Sequence, residues 1–193
     1  MTKNQDLRYI RTNQMLCDAF TELLSKKKFE NITINDLCEK ALIRRATFYT
    51  HFMDKYDFFT YFIRQNRNQF LSTWKTSESQ QTLKDFSIHM FRQLINYLSE
   101  HMDMVHNIFN SSALSILMDL LADEIRTSFL NKLKEVPASD KKPEPLMEIT
   151  AVYCSGGIIQ LLRYWLTTTN DISQEQLINQ YELLINGSGL SNL

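Results

Sequence analysis

Glycine and proline are scarce in this chain, four and three among 193 residues. Both residues punctuate turns and break helices, so a turn-rich β fold is disfavoured and long uninterrupted helices are expected. Cysteine is sparse too. Cys17, Cys38 and Cys154 lie far apart, form no CxxC pair and cannot all be joined in disulfides within one chain, so reduced, largely buried thiols are expected. No apolar stretch of signal-peptide type opens the sequence, and no run reaches the ~18 apolar residues of a membrane span. These absences point to a cytoplasmic protein without a membrane partner. A phosphate-cradling glycine loop, GxSxG and HExxH are all missing, and no histidine and carboxylate are spaced to act together, so an enzyme is not expected. His101 and His106 are five apart, off the i, i+4 spacing of two ligands on one helical face, so neither a metal nor a cofactor is expected.

Apolar residues make up 44% of the chain and charged residues 22%, and twelve Phe and eight Tyr supply bulky packing material. The net charge of −1 conceals an asymmetry. Residues 1–56 hold ten Lys/Arg against seven Asp/Glu, a balance of +3, and residues 57–193 hold eleven against fifteen, a balance of −4. A basic head (1–56) on an acidic body (57–193) is the domain organisation this suggests.

Apolar residues recur at helical spacing along most of the sequence. Ile10, Leu16, Ala19, Phe20, Leu23 and Leu24 predict a helix over 7–27, closed by Lys26, Lys27 and Lys28. Thr33 reads as an N-cap with Asp36 three residues on, opening a helix over 34–40 that buries Ile34, Leu37 and Cys38. After a break at 41–43, a helix over 44–52 buries Phe48 and Phe52. Asp54 caps a long fourth helix running to about Trp74. Further helices are expected over 83–101, 104–109, 112–135, 146–168 and 174–185, with polar connections at 76–82 and 137–145. The fold class is therefore all-α, with about nine helices and no strand.

Two short helices joined by a tight turn beneath a longer first helix form a helix-turn-helix. With Phe48 and Phe52 directed inward, the opposite arc of the second short helix presents Ala46, Thr47 and Thr50, flanked by Tyr49 and His51, with Arg44 and Arg45 at its N-terminal end. That face carries no acid. Small side chains, hydroxyls and cations suit phosphates and base edges better than an apolar partner.

The segment ITINDLCEKALIRRATFYTHFMDKYDFF (32–59) resembles the DNA-binding domain of the TetR family through Thr33, Thr47, Tyr49, His51, Phe52 and the Asp54–Lys55 pair. The stretch AVYCSGGIIQLLRYWLTTT (151–169) is similar to the closing helices of a Firmicutes-type TetR C-terminal domain. The first resemblance implies that Tyr49, His51 and Lys55 contact phosphates, that Thr33 meets the DNA backbone, that Arg44, Arg45, Ala46, Thr47 and Thr50 face the groove, and that Asn35 reaches a base. Two departures stand out. Leu42 occupies a turn position where the family carries Gly, and Arg44 replaces the small hydroxyl residue that caps the recognition helix.

In the second half, the run around Gly156 and Gly157 is apolar nearly all round and must be covered on more than one side. A homodimer interface is expected from Tyr153, Gly156, Gly157, Ile159, Gln160 and Trp165, joined by Leu177, Tyr181 and Leu184 of the last helix. Pairing sets two recognition helices at the pitch of double-stranded DNA and makes a palindromic operator the expected partner. The resemblance further implies repression, relieved by a small-molecule effector. Trp74, His89, Met90, Tyr97, His101, Phe109 and Met118 are its candidate pocket. A helical protein-interaction module, or a coactivator-dependent activator with altered DNA binding, stays open as the alternative.

Overall fold

The computed structural model describes residues 3–72, 82–109, 111–135, 143–168 and 172–187. Among them are nine α-helices and one 3-10 turn: α1 (Lys3–Leu24), η1 (Phe29–Asn31), α2 (Ile34–Lys40), α3 (Arg45–His51), α4 (Lys55–Ser72), α5 (Leu83–Glu100), α6 (Met102–Phe109), α7 (Ala113–Lys134), α8 (Glu144–Thr167) and α9 (Gln174–Gly187). The all-α reading holds, and no strand occurs among the described residues.

Capping explains why several of these helices start where they do. Thr33 Oγ1 accepts from the Asp36 N–H (3.0 Å), and an Asp36 carboxylate oxygen accepts from the Thr33 N–H (2.9 Å), a reciprocal capping box. The same device opens α5, through Thr82 and Asp85, and α9, through Ser173 and Gln176. Asp54 caps α4 by accepting from the N–H groups of Tyr56 and Asp57, each at 2.8 Å. The first helix ends earlier than its lysines suggested. The Lys26 and Lys27 N–H groups both turn back onto the Leu23 carbonyl, leaving the lysine run beyond the helix.

The chain divides into two compact units, Met1–Asn68 with His101–Leu117, and Gln69–Glu100 with Met118–Leu193. The first unit thus runs past residue 56, where the charge balance changes. Phe58, Phe59 and Phe62 of α4 are buried with Phe20, Phe29, Phe48 and Phe52 in one aromatic core, which Ile108 and Ala113 complete. Three polar ties hold the inserted segment in this unit, one of them a 2.9 Å hydrogen bond between the Tyr56 and Ser112 hydroxyls. The Asn107 side chain donates to the Leu24 carbonyl at the end of α1 (2.8 Å), and the Glu30 carboxylate accepts from the Ser112 N–H (2.7 Å) and hydroxyl (2.6 Å).

The second unit is built around α5 and α9. Leu83, Met90, Phe91, Leu94, Ile95 and Leu98 are buried on α5, and Leu177, Ile178, Tyr181 and Ile185 on α9. The Tyr181 ring lies 4.1 Å from that of Phe91, and its hydroxyl shares a 2.5 Å hydrogen bond with buried Ser87. Met147, Ala151, Cys154, Ile158 and Leu162 of α8 and Ile125, Phe129 and Leu133 of α7 are also buried. Burial raises the thiol pKa of Cys17 and Cys154 to about 11 each, and Cys38 is raised as well. All three are free and protonated near neutrality.

Candidate nucleic-acid interface

The turn between α2 and α3 fixes the angle of the candidate recognition helix. The Ile43 N–H reaches back to the Cys38 carbonyl (3.0 Å) and the Leu42 N–H to the Glu39 carbonyl (3.2 Å), the paired bonds of a Schellman ending. That ending requires a left-handed residue, and Leu42 takes the position with φ 55 while its side chain is 86% exposed. The Leu-for-Gly departure therefore leaves the geometry of the turn intact and loads strain onto one backbone position. Arg44 is the N-cap of α3 and offers no side-chain capping bond, as its side-chain chemistry requires.

Phe48 anchors α3 to the core, fully buried, and Phe52 follows one turn later. The face left outward carries Arg44, Arg45, Ala46, Tyr49 and Thr50, all exposed, with Thr47 half-buried. Arg45 donates to the Tyr49 hydroxyl (3.3 Å), and its guanidinium lies 5.8 Å from that ring's centroid, so the two side chains hold each other. Thr50 donates to the Thr47 carbonyl (2.6 Å). Thr33 and Asn35 are exposed at the start of α2.

Two of the expected phosphate contacts have partners within the fold. Lys55 directs its ammonium at the carbonyls of Phe29 (2.9 Å), Glu30 (3.3 Å) and Ile32 (2.9 Å) and sits 4.4 Å above the Phe29 ring. An ammonium has three N–H donors, and three carbonyls take them. Burial pushes the Lys55 pKa down, with Glu30 opposing the shift. Its place is that of a brace on the α1–α2 connection, and a phosphate would have to draw it out. His51 stacks on Tyr9 at 4.3 Å, and its Nδ1 lies 2.7 Å from Asn13 Oδ1. Sequence reasoning missed Tyr9 and Asn13. The available signal was a polar residue, Asn13, at the buried register shared with Leu16 and Phe20 on α1.

The expected dimer face separates into two sets. Tyr153, Gly156, Gly157, Gln160 and Leu184 are exposed, and Ile159 and Trp165 half-buried. Leu177 and Tyr181 are a correction: both are buried against their own unit, because the apolar stripe of α9 faces α5. Around the exposed set lies more apolar surface, including Leu146, Ile149, Val152, Tyr164 and Leu183. A methyl group built on Gly156 or Gly157 would meet nothing within 4 Å. The described residues of the chain itself therefore do not pack closely against these glycines. By length and composition α8 is also apolar enough to cross a membrane.

Of the pocket candidates, Trp74 lies outside the described residues. His89, Met90, Tyr97 and Met118 belong to one unit, with Met90 and Met118 in its core, while His101 and Phe109 belong to the other. No group of His, Cys, Asp and Glu that could hold a metal occurs among the described residues.

Comparison with known proteins places this geometry. Residues 85–187 match a TetR-type family described as "Transcriptional regulator C-terminal region". The HTH-type transcriptional regulator YxbF of Bacillus subtilis is 28% identical over 165 residues, covering 84% of this chain and 41% of that protein, so the chain spans less than half the length of this relative. The same fold recurs in FadR from Bacillus subtilis, solved in complex with stearoyl-CoA (TM-score 0.66, 15% identity, 90% of this chain and 97% of that one). It recurs in the fatty acid degradation regulator FadR from Bacillus halodurans (0.63, 11%, 92% and 96%). Lin0861 from Listeria innocua shares it as well (0.59, 23%, 93% and 92%). With a family match over more than half its length and the same helical architecture, the chain belongs to the TetR family of transcriptional regulators.

Proposed function

We propose that this regulator works in the cytoplasm as a homodimer that reads a palindromic operator with α3 and represses the gene beside it. The observation that carries the reading is the outward face of α3: two arginines, a tyrosine and two threonines, without an acid, held by a buried phenylalanine and a tight turn. Arg44 and Arg45 enter the major groove with Ala46, Thr47 and Thr50, Asn35 reaches a base edge from α2, and Tyr49, His51 and the N-terminus of α2 at Thr33 meet phosphates. Lys55 serves by holding η1 and the Thr33 cap in place. The face of α8 that carries its two glycines, open among the described residues, and the exposed Leu184 of α9 support pairing with a second copy. Two heads about one helical turn apart, ~34 Å, then match a palindrome.

A small-molecule effector that favours one arrangement of the pair would shift the population away from DNA. Acyl-CoA thioesters are the first class to assay, since one protein of the same fold was solved with stearoyl-CoA.

The test is binding and footprinting on DNA flanking the gene. A two-fold symmetric footprint is expected, with affinity falling steeply as salt rises. Arg45→Ala should relax sequence preference, and Ile149→Glu should give a monomer by mass measurement and weaken operator binding. DNA binding that is absent, or insensitive to salt, would instead favour a helical interaction module.

A further inference from the structure

Asn13 is a polar side chain only 2% exposed, on the buried face of α1 between Tyr9 and the apolar Leu16 and Phe20. Its Oδ1 lies 2.7 Å from Nδ1 of His51, the last residue of α3. On α4 burial raises the Tyr61 pKa, and the Asn13 side chain opposes that shift, in the sense of an amide N–H directed at the phenol. With the NH2 group given to Tyr61, the carbonyl oxygen faces His51. An amide oxygen only accepts, so the bond places a proton on Nδ1. The Tyr9 ring, stacked nearly parallel at 10°, fixes the imidazole plane.

This arrangement constrains what His51 can do. In the neutral ring with a proton on Nδ1, Nε2 carries a lone pair and can only accept. A DNA phosphate is itself only an acceptor. The two meet favourably when Nε2 takes up a proton, which turns the contact into a charge-assisted hydrogen bond. We propose that Asn13 is a positioning residue of the DNA interface: by holding the Nδ1 proton it makes the His51 contact to phosphate available only to the imidazolium, so that DNA binding takes up a proton from solvent. The inference rests on the DNA-binding reading above and adds the protonation state through which one contact operates.

The groups facing His51 are Tyr9 and Asn13 of α1 and, behind Asn13, Tyr61 of α4, with Cys17 beside Tyr61. None is a carboxylate, an amine or a guanidinium. Burial alone lowers the His51 pKa, with no contribution from a charged side chain among the described residues. Burial in the free protein therefore favours the neutral ring, and a phosphate supplies a negative charge that favours the imidazolium.

The experiment measures operator affinity of the full chain between about pH 5.5 and 8.5 at fixed ionic strength. It compares wild type, His51→Gln and Asn13→Asp, with NMR titration of His51 free and DNA-bound. Wild-type affinity should fall as pH rises, by up to about tenfold per pH unit per head between the free and bound pKa values. His51→Gln should remove that slope, and Asn13→Asp, which sets a carboxylate against the ring, should move it to higher pH. In wild type, DNA should raise the His51 pKa. Equal pH dependence in wild type and His51→Gln, or a His51 pKa that DNA leaves unchanged, overturns the proposal while the DNA-binding reading stands. Absence of DNA binding at every pH overturns both.

Discussion

Replacing Leu42 with glycine should leave the protein as stable as before or make it slightly more stable, against the usual direction of such a change. A non-glycine residue in the left-handed region costs roughly 1–2 kcal/mol, and Leu42 sits there with φ 55. Two terms oppose the relief. Glycine loosens the unfolded chain by about 0.4–1 kcal/mol. The leucine side chain, 86% exposed, surrenders only a few tenths of a kcal/mol of burial. The balance is about 0 to 1 kcal/mol in favour of Leu42→Gly, and up to about 2–4 °C in Tm for a chain of this size. Leu42→Val should go the other way, since a β-branched side chain is a true outlier in that region. The assay is urea unfolding at one fixed protein concentration, because the stability of the proposed dimer would depend on its concentration. A loss of about 1 kcal/mol in Leu42→Gly, with Leu42→Val near neutral, is the pattern of an ordinary exposed position and would refute the strained turn.

Arg44→Ser should add the missing cap to α3 and stabilise by about 0.5–1 kcal/mol, while changing which operator bases are preferred; thermal melts and a selection on randomised DNA read the two effects. Lys55→Met should cost about 1–2 kcal/mol by stranding the carbonyls of Phe29, Glu30 and Ile32, and should lower operator affinity with little change in its salt slope. Tyr49→Phe should weaken binding to all DNA sequences alike if its hydroxyl meets a phosphate as proposed, as a filter-binding series would record. Tyr181→Phe should destabilise by about 1 kcal/mol through the lost bond to buried Ser87, with dimerisation unaffected if α9 contributes through Leu184 and not through Tyr181.

Local signals in the sequence are legible where local chemistry decides the structure. The bounds of α2 follow from Thr33, Asp36 and the turn residues, and the structure reproduces them to the residue. The core roles of Phe48 and Phe52 follow from spacing alone. What the sequence did not reveal depends on contacts between distant segments. Nothing near residues 101–117 signals that they pack with α1 and η1, since Leu24 and Glu30, which bond Asn107 and Ser112, are some eighty residues away. Lys55 reads as a free cation until the fold brings three carbonyls to it. Leu177 and Tyr181 lie on a stripe that periodicity identifies as apolar, but periodicity does not say whether α5 or another subunit covers it.

The segment 101–117 has a consequence for anyone who would borrow the reading head of this protein. Its stretch of α6 and the start of α7 lies in the middle of the chain yet supplies Ile108 and Ala113 to the aromatic core around Phe20 and Phe29. A fragment cut after residue 68 would carry a recognition helix on an incomplete foundation, with the Leu24 carbonyl and the Glu30 carboxylate deprived of their donors. Chimaeras that exchange heads between regulators should therefore be spliced at two places rather than one, taking the distant insert along with the N-terminal helices.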